Sequence, residues 1–344
     1  KTCIPEGKSS IICCFDANLK TRFSICFNMD KVINLGIPHV GELIFESFDT
    51  PGLIKCLEVS QTWKVLAENV LIKRWKGRMF QACQNGETKV VQLLLERCNS
   101  EESGLNIKDQ DGSTALMLAC RGGHKDVVQL LLDHSERIDL NARDNARVTA
   151  LMWACENGHK DVVQLLLDHS GRIKLNARSK RSNGGWTAFL YACKNGHQDI
   201  VQLLLNHSER IELNARNDLG LTAFMEACLK GHKDVVKLLL DHSDKIELNA
   251  RRNDGGCTPF MYACLSGHKD VVQLLLDHSD RIELNARANN GWTAFMTACN
   301  RGNKDVVKLL LDYSEVVDIN IPESFQLSEE IKTLLKMHSM TVQK

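Results

Sequence analysis

From residue 112 onward, apolar positions recur in a fixed order. The run Thr114-Ala115-Leu116-Met117-Leu118-Ala119-Cys120 is apolar at helical spacing and stops at Gly123. A second stretch, Asp126-Val127-Val128-Gln129-Leu130-Leu131-Leu132, carries a broad apolar stripe, and a loop then leads to Asn141-Ala142-Arg143. Thr114 is suited to cap the first helix, Gly123 to close it in the left-handed conformation, and Asp126 to meet the positive end of the second helix. The pattern therefore predicts two short helices and an extended connection, and it restarts at Thr149, Thr187, Thr222, Thr258 and Thr293.

Seven cysteines mark the period. Cys83, Cys120, Cys155, Cys193, Cys228, Cys264 and Cys299 lie 37, 35, 38, 35, 36 and 35 residues apart. One helix pair cannot bury its apolar faces alone, so neighbouring units must stack. Seven units are expected: a degenerate one over residues 78–111, then units starting near Gly112, Arg147, Gly184, Leu219, Gly255 and Asn290, closed by a helix near Ser328 to Met337.

These segments resemble the ankyrin repeat over about residues 78–338. The resemblance implies an all-α solenoid of helix-turn-helix repeats with hairpin loops. The chain departs from the family pattern at two positions. Ala replaces the usual Pro after the Thr in every full unit except Thr258-Pro259, and Met or Leu stands in the place of the family's His, at Met117, Met152, Leu190, Met225, Met261 and Met296.

The place where a ligand binds is suggested by where the units differ. The interval from the Thr to the following Asn-Ala-Arg arginine is constant at 29 residues, as from Thr114 to Arg143, whereas the step from that arginine to the next Thr varies as 6, 9, 6, 7 and 6. Added length falls at Ser179 to Gly185 and Arg252 to Gly256, which the resemblance makes hairpin fingertips. Residues before the Thr and two before the core Cys also diverge, and Trp153, Trp186, Tyr191, Tyr262 and Trp292 fall there. In ankyrin proteins such positions lie on or beside the concave face, and Trp and Tyr are enriched in binding hot spots. Those five rings, with Arg181 and Arg252 at the lengthened tips, are the expected partner-binding residues.

Composition narrows the function. Lys plus Arg and Asp plus Glu both number 43 among 344 residues, so no bulk charge advertises a nucleic-acid or membrane partner. The charge divides between segments. Fingertips 142–148, 177–186, 215–221, 250–257 and 286–292 hold nine basic and three acidic residues, while the loops after the second helices sum to a net of −6. A protein partner with a mildly acidic surface follows, bound by a monomer. The Cys120/His124 spacing and its repeats superficially resemble a zinc set, but the Cys takes the place of a small buried alanine, and no metal or cofactor is expected. No nucleophile, base and stabiliser occur together, so no catalytic residue is expected. Reduced cysteines suggest an intracellular protein, cytoplasmic or nuclear.

Residues 37–76 have another texture. Ile37-Pro38 precedes Glu42-Leu43-Ile44-Phe45, Asp49-Thr50-Pro51 opens a second helix, and Val59-Ser60-Gln61-Thr62-Trp63 follows a Leu-rich run. This resembles an F-box, more closely in its second half. The resemblance implies docking on the Skp adaptor of a cullin-RING ubiquitin ligase, with Pro38, Leu43, Ile44, Leu53, Ile54 and Val59 as contacts and the repeats as substrate receptor. The alternative is a plain ankyrin scaffold whose N-terminal helices only cap the stack. The expected organisation is thus 1–28, disordered or outside the native coding sequence with Met29 as the start; 29–77, an F-box-like segment; 78–324, seven repeats; and 325–344, a cap helix and tail.

Overall fold

The computed structural model describes residues 75, 77–97, 105–181, 184–322 and 325–342. The expectations placed on residues 1–28 and on Pro38, Leu43, Ile44, Leu53, Ile54 and Val59 lie outside the described residues.

Thr at the head and Gly at the tail of each apolar run divide the chain into paired helices. Residues 77–85 form α1, followed by α2 (Thr88–Arg97), α3 (Ala115–Gly122), α4 (Lys125–Leu132), α5 (Ala150–Asn157), α6 (Lys160–Asp168), α7 (Ala188–Lys194) and α8 (Gln198–Leu205). The second half continues with α9 (Ala223–Lys230), α10 (Lys233–Asp241), α11 (Pro259–Ser266), α12 (Lys269–Leu276), α13 (Ala294–Arg301), α14 (Lys304–Asp312) and α15 (Glu329–Val342). Odd numbers up to α13 are first helices of a pair and even numbers are second helices. Each threonine ahead of α3, α5, α7, α9, α11 and α13 is extended, and its Oγ1 accepts from the backbone N–H three residues on, at 3.2–3.4 Å. Such a cap contributes about 1 kcal/mol.

The helices stack in register. First helices pack closely on one another and second helices less closely, which bends a stack toward its first helices. The buried layer repeats unit by unit, with Phe189, Phe224, Phe260 and Phe295 among the largest side chains fully enclosed. The cysteine ladder is buried as free thiols, and burial pushes Cys83 and Cys299 up to about 12 and raises the members between them well above the ordinary thiol range. These are small core side chains. The closing helix runs to Val342, beyond the Met337 read from sequence, and packs on α14 through buried Ile331 and a 2.7 Å Lys304–Glu330 ion pair.

Two polar ladders lock neighbouring units together. The asparagine of each Asn-Ala-Arg grips the next unit twice: Asn141 Nδ2 donates to Arg172 O at 2.8 Å while its Oδ1 accepts from Lys174 N at 2.7 Å. The same pair of bonds recurs from Asn106, Asn176, Asn214, Asn249 and Asn285. The histidine before each second helix reaches backward, and His124, His159, His197, His232 and His268 donate Nε2–H to the carbonyls of Gln84, Arg121, Glu156, Lys194 and Leu229. Each of these bonds ties a backbone group of one unit to a side chain of its neighbour.

One turn breaks the pattern. The hairpin position held by Gly112, Gly185, Gly220, Gly256 and Gly291 is Arg147 in the third unit, and it too has positive φ, at 60°. A non-glycine residue there costs about 1–2 kcal/mol, against about 0.5–1 kcal/mol of extra chain entropy lost by glycine. Arg147→Gly is therefore expected to stabilise the protein by about 0.5 kcal/mol, read from the urea midpoint at unchanged slope.

Candidate functional site

The first helices present two rows of side chains that change from unit to unit beside a near-constant Ala-Cys core. One row, two residues before the core Cys, is Leu118, Trp153, Tyr191, Glu226, Tyr262 and Thr297. The other, immediately after the Cys, is Arg121, Glu156, Lys194, Leu229, Leu265 and Asn300. The histidine ladder fixes the second row, because it is the backbone carbonyl of Arg121, Glu156, Lys194 and Leu229 that the next unit holds.

The five aromatic residues occupy different settings. Trp153 is half-buried, with the guanidinium of Arg121 4.7 Å from its ring centroid and that of Arg181 4.9 Å away. Arg181 also forms a 2.7 Å ion pair with Glu156. The extra residues of the Ser179–Gly185 fingertip thus return a side chain onto the preceding unit. Trp186 is only 4% exposed and Tyr191 2%. Their rings stack at 5.4 Å, Tyr191 Oη lies 3.2 Å from Ser179 Oγ, and the Lys194 ammonium sits 4.3 Å over Trp186. Tyr262, 6% exposed, packs with Leu221, Met225 and Ala250. Trp292 is half-buried and meets Phe325 edge-on at 5.0 Å, in the segment leading to α15. Trp153 is accordingly the ring that combines exposure with a charged surround, while Trp186, Tyr191 and Tyr262 are buried.

Arg252 is also placed inward. Its guanidinium pairs with Asp254 at 2.7 Å, donates to Leu219 O at 3.0 Å and approaches Tyr262 Oη at 3.4 Å. Its donors are spent on holding the lengthened Arg252–Gly256 turn.

Sequence reasoning missed the row after the cysteine. Leu229 and Leu265 are half-buried and pack, with Cys257, on the Tyr262 cluster. Along the two rows, charged and aromatic residues at Arg121, Trp153, Glu156 and Lys194, with Arg181 of the fingertip beside them, give way to apolar Leu229 and Leu265. The available signal was divergence, since Gln84, Arg121, Glu156, Lys194, Leu229, Leu265 and Asn300 differ at a position whose flanking Cys is constant.

Between the two halves lies Glu226, 3% exposed, accepting from Asn217 Nδ2 at 3.4 Å. Burial raises its carboxyl above the ordinary range, while Lys194, Lys230 and the Asn217 bond pull it back down. With a folded value above the unfolded one, the native state holds the proton where the unfolded chain has released it. This group thus favours folding at low pH and opposes it as pH rises through the folded value. Glu226→Gln is expected to raise the melting temperature at pH 7 and to lose that advantage below about pH 4, where both states are protonated. Melts at the two pH values check this, and an equal gain at both would contradict the burial argument.

Charge is arranged less simply than the segment sums imply. Arg216, Arg251 and Arg287 reach acids of the following unit, Glu247 at 3.6 Å, Glu283 at 3.8 Å and Asp318 at 2.6 Å. Fingertip and loop charges therefore meet in the later units rather than standing on separate edges, and the less compensated basic groups are those of the earlier units. Among the described residues no group of three or more His, Cys, Asp and Glu side chains gathers as a metal would require, and no helix is long and apolar enough to cross a membrane.

Comparison with known proteins agrees with this geometry. The chain is 54% identical to osteoclast-stimulating factor 1 of Monopterus albus over 39 residues, 11% of this chain and 18% of that protein. It is 50% identical to osteoclast-stimulating factor 1 of Danio rerio over 38 residues, again 11% and 18%. It thus spans less than a fifth of the length of these curated relatives. The model of the family described as ankyrin repeats (3 copies) matches residues 79–179, 173–252 and 245–323. With most of the chain covered, the protein belongs to the ankyrin repeat family, whose repeats imply a role in protein–protein interaction.

Proposed function

We propose that this protein is a non-enzymatic receptor whose first-helix face captures a segment of a partner protein, with residues 37–76 tethering it to the Skp adaptor of a cullin-RING ubiquitin ligase. The observation that carries the first half is the contrast within the repeats: capping, core and clamping positions are near copies, while the rows through Trp153 and Leu265 are among the positions that diverge. A face that diverges on a constant scaffold is suited to one ligand. The grading of those rows favours a segment with an acidic group near Arg121 and Arg181 and an apolar one near Leu229 and Leu265. Such a complex weakens as salt rises.

The tether rests on the F-box-like residues from Pro38 to Trp63. Affinity capture on the full chain tests it: the Skp adaptor is expected to co-purify, and Leu53→Asp with Ile54→Asp to release it while the first-helix face keeps its partner. Failure to recover the adaptor with Leu53 and Ile54 intact sinks the ligase reading and leaves the scaffold, with its N-terminal helices as a cap.

A further inference from the structure

The loops after the second helices repeat one charge arrangement. An acid stands two residues before the asparagine of Asn-Ala-Arg, at Asp139, Glu212, Glu247 and Glu283, and its counterpart in the last unit is Asp318. In the later units the arginine of the preceding unit pairs with it, in Arg216–Glu247, Arg251–Glu283 and Arg287–Asp318. One unit breaks the rule, because the equivalent residue there is Lys174. Arg143, the arginine in register with it, meets a cation instead of an acid.

That exchange opens a basic cleft. Arg143, Lys174 and Arg210, with Leu175, Asn176 and Ala177, line a cavity of about 400 Å³. Arg210 is held in place by donating to Ser170 O at 2.6 Å. Among the described residues neither Arg143 nor Lys174 has an acidic partner; in the flanking loops Glu136 pairs with Arg172 at 3.2 Å and Glu209 with Lys245 at 3.0 Å, and Glu212 bonds the cleft residue Asn176 through its backbone N–H, which donates to Oδ1 at 2.9 Å. Three cations around one cleft repel one another until an anion enters, and two guanidinium forks suit the oxygens of a phosphate.

We propose that the Arg143–Lys174–Arg210 cleft binds a phosphorylated side chain on a peptide segment. The surroundings select a compact anion over an extended one. Loop 168–175 carries a net charge of +1, but the loops flanking it, 133–140 and 206–213, carry −2 and −1. An anionic membrane or a nucleic-acid strand laid along this edge meets those acids, whereas a single phosphate monoester fits between them. The cleft is built from the loops after the second helices, so it is a site additional to the first-helix face.

The test is a titration of the isotopically labelled full chain, following the backbone amides of Asn176 and Ala177. The probes are a capped Gly-phosphoserine-Gly peptide, its unphosphorylated form, and vesicles of phosphatidylserine in phosphatidylcholine. The phosphopeptide is expected to shift both amides saturably, the other two probes to leave them in place, and Lys174→Glu to weaken the phosphopeptide at least tenfold. Lys174→Glu installs the kind of residue the other units already carry, so it is compatible with the fold, and Arg210→Gln serves as a second, independent loss of charge. Undiminished binding by both variants, equal shifts from the unphosphorylated peptide or the vesicles, or no shift with any probe would each overturn the proposal.

Discussion

Replacing Trp153 by alanine is expected to weaken binding of the captured partner about thirtyfold, equivalent to about 2 kcal/mol, the scale of an interface hot spot. The ring is half-buried, with the guanidiniums of Arg121 and Arg181 at 4.7 and 4.9 Å from its centroid, so a ligand that reaches its exposed part shares a charged surround with it. Cation–π contacts of this exposed kind contribute about 0.5–1 kcal/mol each, so truncation costs the free protein little. Trp186→Ala is the counterpart with the opposite signature. That ring is 4% exposed and stacks on Tyr191, and removing it leaves a cavity costing about 3–5 kcal/mol of stability. Titration calorimetry against a purified partner, paired with urea unfolding, separates the two. If Trp153→Ala lowers the unfolding midpoint as far as Trp186→Ala and leaves affinity intact, Trp153 is a core ring and the first-helix face is not the binding surface.

The architecture was legible because its signals are local. Thr114 and its equivalents cap because a hydroxyl three residues from an N–H is enough, and Gly123 ends its helix because only a residue without Cβ takes φ 73° at no cost. Which rings are exposed was not legible. Trp153 and Tyr191 occupy the same row, yet Tyr191 is covered by Trp186 and Ser179 of its own hairpin, while Trp153 is half-buried with two arginine guanidiniums beside it. Exposure at a repeated position is set by the size of neighbours that themselves vary.

Clamps between units were hidden for another reason. The Asn-Ala-Arg motif marks the period in sequence, but its partners are backbone atoms of the next unit, which leave no trace in residue identity. Arg216 and Arg251 donate to the carbonyls of Arg251 and Arg287 at 2.6 and 2.8 Å and pair with Glu247 and Glu283. Read as segment sums, these arginines look like free basic charge offered to a ligand. Paired, they stitch the hairpin edge, as Arg181 is paired with Glu156, and the basic groups left for recognition lie in the earlier units, at Arg121 and the Arg143–Lys174 cleft.

Gly231→Val is expected to destabilise the protein by about 2–3 kcal/mol, combining left-handed strain with the loss of a part-buried inter-unit hydrogen bond. Gly231 has φ 75°, and a Cβ built on it falls 2.5 Å from His268 Nδ1. The imidazole must leave, and with it goes the bond from His268 Nε2 to Leu229 O at 3.1 Å. Gly302 supplies the control, because it closes α13 at φ 69° with nothing within 4 Å of its Cβ. Gly302→Val therefore carries the strain alone, about 1–2 kcal/mol. The difference between the two variants measures what one histidine clamp contributes to coupling between units. Because each unit contacts only its neighbours, weakening a central boundary is also expected to broaden the urea transition as the two halves uncouple. Equal costs at Gly231 and Gly302 would show that the histidine ladder satisfies backbone carbonyls without adding to the stability of the stack, leaving the asparagine clamps and the buried phenylalanine layer to hold neighbouring units together.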